Sequence, residues 1–150
     1  MAHELGHYVL NHVYEMILFF GLVFAAGFAF VAWGFDRALA RWGGRWGVRG
    51  IGDVAGLPLL GALLAVYLFA LTPVLNTYIR VNESEADIFG LNAARQPDGF
   101  AEVALRLAEY RKLEPGPIEE WIFFDHPSGR TRIRMAMDWK AEHRGEGRGP

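Results

Sequence analysis

The 150-residue sequence contains no cysteine, which excludes a disulfide framework and thiol chemistry and leaves cysteine usage silent on compartment. It also lacks a charge excess. Fifteen Lys and Arg stand against 17 Asp and Glu, without the basic surplus that would steer a chain to nucleic acid, so no nucleic-acid partner is expected. No internal repeat is visible. Charge is missing most sharply from two runs, Met16 to Phe35 and Val54 to Leu75, in a chain that is 52% hydrophobic. The first run follows an acidic, histidine-rich stretch instead of a short basic one and is too long for the apolar core of a signal peptide.

Twenty uncharged residues at 1.5 Å each span about 30 Å, the thickness of bilayer hydrocarbon. The two runs therefore predict membrane-spanning helices over about 16–35 and 54–75, with Trp33, Tyr67 and Tyr78 near their ends as interfacial aromatics. Buried helices of a soluble core are the alternative. Between the runs, Asp36 to Asp53 reads as a Gly- and Arg-rich connection, making a hairpin. A hairpin returns the chain to the side it left, so residues 1–15 and the segment after Leu75 face the same side. Residues 1–15 read as a polar-faced helix that runs straight into the first span.

After the Pro97-Asp98-Gly99 break, Phe100, Val103, Ala104, Leu107 and Tyr110 recur at helical spacing, and Glu102 pairs with Arg106 at i,i+4. This predicts an amphipathic helix ending near Leu113. Glu114 to Pro117 reads as a turn, WIFF as a short apolar patch, and Gly129 to about His143 as a last, basic helix. Residues 145–150 are expected to form a disordered tail after a domain over 1–144.

The chemistry lies at the opening, MAHELGHYVLNH. His3 and His7 are i and i+4 on a helix, so both imidazoles leave one face and can hold one zinc ion, with Glu4 beside them as a candidate base. The bland reading makes them polar residues at a membrane interface. Zinc in a hydrolase needs a third protein ligand and an open position, and it lowers the pKa of bound water toward about 7. His12, five residues past His7, falls off that face and reads as an interfacial histidine. NESEAD, just beyond the hairpin, offers Glu83 and Asp87 at i and i+4: one can bind metal while the other orients a ligand imidazole. Glu85 points elsewhere on such a helix, and a solvated acidic helix start is the plain alternative.

HELGH, two apolar spans, ESEAD as ExxxD and DHPSGRTRI as HPxxxxRI stand in the order found in the membrane-embedded zinc endopeptidases of the CAAX prenyl protease type I family and their heat-shock membrane protease relatives. The chain resembles the C-terminal part of such an enzyme. The resemblance implies an all-α integral membrane protein with a zincin-type HExxH helix and C-terminal amphipathic helices. It implies one zinc held by His3, His7 and Glu83, with Glu4 as catalytic base, His126 steadying the oxyanion, and Asp87 and Arg132 supporting the site from behind. On the residues alone, His126 would be a loop histidine and Arg132, between Arg130 and Arg134, a solvated or headgroup-facing cation.

The expected function is zinc-dependent endopeptidase at or in a lipid bilayer, cleaving prenylated C-terminal peptides or membrane proteins. The rival is a catalytically silent helical module that binds partners or lipids. The family's upstream spans and substrate-pairing edge are not in this sequence, so it is expected to be a piece of a longer parent that cleaves poorly alone. Arg37, Arg41, Arg45 and Arg49 would by the positive-inside rule put the hairpin loop in the cytoplasm, whereas the resemblance implies a cytoplasm-facing site; the latter is the expectation.

Overall fold

The computed structural model describes residues 1–108 and 112–144, and every regular element among them is helical. In order these are α1 (Ala2–Val9), α2 (His12–Trp46), a 3₁₀ turn (Val54–Gly56), α3 (Leu57–Ala94), α4 (Pro97–Leu107), α5 (Pro117–Phe123) and α6 (Gly129–Glu142). The all-α expectation is met. Tyr110 and residues 145–150 lie outside the described residues. The chain divides into two compact units, one over Tyr14–Thr72 and one built from Met1–Val13 with Pro73–Pro150.

The first unit is the apolar hairpin. Both α2 and the stretch Val54–Ala94 are long and apolar enough to cross a membrane, and only 6% of the most apolar window of each is buried. Among the described residues they are therefore not buried as core helices would be, and Ile17, Leu22, Phe28, Val66 and Phe69 face outward. The two helices meet through small residues, which let backbones approach. Gly27 lies under Tyr67, where an added Cβ would come within 2.8 Å of Cε1, and Gly34 lies against Leu63 in the same way. The Tyr67 hydroxyl donates to the Val23 carbonyl at 2.5 Å, and its ring stacks on Phe30.

The connection is shorter than the sequence suggested. Helix α2 runs on through Asp36–Trp46, because Phe35, Ala38 and Val48 bury together and outweigh the glycine pair Gly43-Gly44. It ends at Gly47, whose φ of 67° is open to glycine, and Val48 N–H then donates back to the Gly43 carbonyl at 3.2 Å.

In the second unit, α1 does not run straight on. It stops at Val9, and Asn11 takes a left-handed φ of 61° before α2 begins at His12. Asparagine tolerates that conformation better than most residues, so the break is local chemistry. The later turns of α3 form the spine: Asn76 donates to the Ile122 carbonyl at 2.6 Å, and Arg80 donates to the carbonyls of Glu120 and Phe124. These bonds tie α5, which the sequence showed only as an apolar patch, to α3.

Two expected boundaries move. Pro97 starts α4 instead of preceding it, since a proline at the first helical position gives up no hydrogen bond. The helix stops at Leu107, short of the predicted Leu113. Helices α4 and α6 pack on each other with Ala104 and Ala136 buried, and Lys140 pairs with Asp98 at 2.6 Å. Ser128 caps α6 by accepting from Thr131 N–H, while its own N–H donates to Glu120 at 2.9 Å. The loop carrying His126 is thereby pinned at both ends.

Candidate metal centre

Helix α1 lies on α3 because two glycines let it. A Cβ on Gly6 would meet the Ala86 backbone at 3.0 Å, and one on Gly90 would meet the His3 backbone nitrogen at 3.2 Å. Those obstacles are main chain and cannot swing aside. The glycine inside HELGH is therefore a spacing element that sets how far His3 and His7 stand from Glu83.

His3, His7 and Glu83 each offer one ligand atom, and the three atoms lie within 4.8 Å of one another. His3 Nε2 is 3.2 Å from His7 Nε2, and each ring nitrogen is 3.4 Å from a Glu83 oxygen. Zinc bonded at about 2.0–2.1 Å in a tetrahedron has its ligand atoms about 3.3 Å apart along each edge. The donor set thus fits a zinc ion in both type and spacing.

The groups behind these three hold them in place. His3 Nδ1 lies 2.8 Å from Asp87 Oδ1. Asp87 is completely buried and accepts two bonds from Arg132, from Nε at 2.7 Å and Nη2 at 2.5 Å, while the guanidinium sits over the Phe100 ring. His126 Nδ1 faces Asp125 Oδ1 at 2.9 Å, and its Nε2 faces Glu83 at 3.5 Å. Glu4, exposed on α1, lines a cleft of about 340 Å³ together with His3, Glu83, His126, Pro127 and Arg132. The structure gathers all seven residues singled out in the sequence.

It also brings in two that the sequence reading set aside. His12 is not an interfacial side chain: it is 1% exposed, with Nδ1 2.9 Å from His7 Nδ1 and Nε2 3.1 Å from Glu85. The reason is the break at Asn11, which cancels the rotation a continuous helix would impose. Glu85, expected to point elsewhere, turns to His12. The readable signal was Asn11 itself, a residue prone to end helices in the left-handed conformation. Ala86 and Gly90, small residues four apart, likewise marked the face that receives α1.

A family model described as peptidase family M48 matches residues 1–140. The chain belongs to that family. An uncharacterized metalloprotease, YhfN, of Bacillus subtilis (strain 168) is 32% identical over 138 residues, which is 91% of this chain; the chain spans about a third, 32%, of that curated relative's length. No solved structure matches.

In this M48 chain the carboxylates around His3 favour its protonated form. The carboxylate of Asp87, 2.8 Å from His3 Nδ1, and then that of Glu83 raise its pKa to about 9 from an ordinary 6.5. His7 goes the other way, lowered chiefly by burial. A raised pKa means that protonated His3 stabilises the metal-free fold fully below about pH 6.5, and that this contribution is lost as pH rises through about 9. A metal must displace the same proton. Zinc affinity should therefore rise about tenfold per pH unit between those limits, with proton release on binding. Calorimetry in buffers of different ionisation heat measures that release; zinc uptake at pH 7 without proton release would mean that His3 is already neutral.

Proposed function

We infer that this chain carries the site of a zinc-dependent endopeptidase acting at or in a membrane. The observation that carries the reading is the convergence of His3 Nε2, His7 Nε2 and Glu83 at separations close to the edge of a zinc tetrahedron. Membership in M48 and the metalloprotease name of the Bacillus relative support the same chemistry. A bound zinc ion supplies Lewis acidity and a water acidic enough to attack an amide near neutral pH. The rest falls to the side chains. In this reading His3, His7 and Glu83 hold the metal, and Asp87, gripped by Arg132, fixes the His3 ring. Glu4 takes the proton of the attacking water and passes it to the leaving amine. His126 reaches into the cleft from its Asp125-anchored ring; with a proton on both nitrogens it would give Nδ1–H to Asp125 and Nε2–H to the oxyanion, whose stabilisation is commonly the largest single contribution to such catalysis.

The membrane part of the reading rests on the outward-facing apolar stretches of α2 and α3, each long enough to cross a bilayer. Substrates would be prenylated C-terminal peptides or membrane proteins, cut on the cytoplasmic side. The full chain in detergent should bind one zinc. His7→Ala or Glu83→Ala should each weaken binding by more than the roughly 10- to 100-fold that loss of an outer partner costs. Elemental analysis finding no zinc after reconstitution would remove the enzyme reading and leave a silent helical membrane module.

A further inference from the structure

His12 is a buried polar ring that the mechanism above leaves without work. Carried on a continuous helix it would sit about 140° around from His7. Because Asn11 breaks the helix, the two rings meet edge to face at 5.0 Å, with their Nδ1 atoms 2.9 Å apart. Two imidazole nitrogens at that distance share one proton: one ring donates and the other accepts.

Which way it runs decides whether His7 can bind a metal. If His12 donated, a neutral His7 would carry its proton on Nε2, the atom that faces His3 Nε2 at 3.2 Å, and no lone pair would be left for the ion. Glu85 settles the direction. An ionised carboxylate only accepts, so Glu85, 3.1 Å from His12 Nε2, draws the proton of neutral His12 to that nitrogen. His12 Nδ1 must then accept, His7 Nδ1 must donate, and His7 Nε2 is free for metal. A metal-binding histidine generally gives its second N–H directly to a carboxylate, carbonyl or water; here an imidazole is interposed.

We propose that His12, backed by Glu85, is a positioning residue that locks His7 in its metal-binding tautomer and orientation. It acts for His7 as the Asp87–Arg132 pair acts for His3. The inference rests on the assignment of His7 to the metal under Proposed function.

The test compares variants of the full chain in detergent by zinc affinity, measured against a chromophoric chelator, and by the visible spectrum of the cobalt-substituted protein. His12→Phe keeps a ring but removes the acceptor. It should weaken zinc about 10- to 100-fold and alter the cobalt bands. His12→Asn puts Oδ1 near the place of Nδ1 and should recover most of both, a rescue that a merely space-filling role would not give. Glu85→Ala, at a side chain 54% exposed, leaves the fold intact and should shift both readouts less, in the same direction. A folded His12→Phe with wild-type affinity and spectrum would overturn the proposal, and so would an Asn variant no better than Phe. If His12→Phe does not fold, wild-type values for Glu85→Ala overturn it instead. Wild-type protein that binds no zinc would sink the metal assignment itself, whereas equal binding by wild type and His12→Phe sinks only this inference.

Discussion

Glu4→Gln is expected to bind zinc as tightly as the wild type while losing about 10²- to 10⁴-fold in turnover, the range that a positioned general base contributes. Glu4 is exposed and stands outside the trio whose donor atoms converge, so the substitution leaves the metal's contacts alone. It lines the same cleft as His3, Glu83 and His126, where an attacking water and a scissile carbonyl would meet. Glutamine keeps the size and the hydrogen-bonding reach of the side chain but cannot take a proton. Metal content and hydrolysis of a quenched-fluorescent peptide library, with prenylated and unprenylated members, separate the two effects. Loss of zinc would make Glu4 a ligand; turnover within a few-fold of wild type would place the base elsewhere.

Much of this site could be read in the sequence because its parts obey short-range helical geometry. His3 and His7, and Glu83 and Asp87, are pairs at i,i+4, and the structure places each pair on one helix face. The apolar spans were legible for the same kind of reason, since an absence of charge over 20 residues survives any error in register. What could not be read from spacing were contacts made across the chain. Arg132 reaches Asp87 over 45 positions and His126 reaches Glu83 over more than 40; nothing in a run of arginines or an Asp-His-Pro loop announces its partner. For these two only a family resemblance supplied the expectation.

The misreadings come from judging breaks and continuations by local pattern, without the tertiary contacts that decide them. Five residues separate His12 from His7, and on an unbroken helix that count excludes contact; one left-handed Asn11 reverses the conclusion. At the other end of α2 the error ran the opposite way. Gly43 and Gly44 suggested a loop, yet burial of Phe35, Ala38 and Val48 carries the helix to Trp46. Glycine costs a helix only about 1 kcal/mol, which tertiary packing of three apolar side chains readily exceeds. Gly6 was hidden for a different reason: within HELGH it reads as spacer, and only the Ala86 backbone shows why no larger residue fits.

Arg132→Met should damage fold and metal site together, and a second substitution should separate the two. Asp87 is fully buried, and its charge is matched by a guanidinium that grips both oxygens, at 2.7 and 2.5 Å. Removing the arginine leaves a buried carboxylate facing only the His3 ring, which typically costs about 3–5 kcal/mol, a large part of the 5–15 kcal/mol that holds most domains together. Arg132→Lys should rescue little, because a point charge cannot make the forked contact. Adding Asp87→Leu to Arg132→Met removes the stranded charge, and such apolar replacements of buried pairs are often close to neutral. The double variant should therefore melt nearer the wild type than Arg132→Met does. Its zinc affinity should stay about 10- to 100-fold down, because His3 has lost the carboxylate that orients its Nδ1. Thermal melts and chelator competition on the same detergent samples read the two quantities independently. Recovery of zinc affinity along with stability in the double variant would mean that Asp87 and Arg132 only hold the helices together, and that His3 finds its orientation without them.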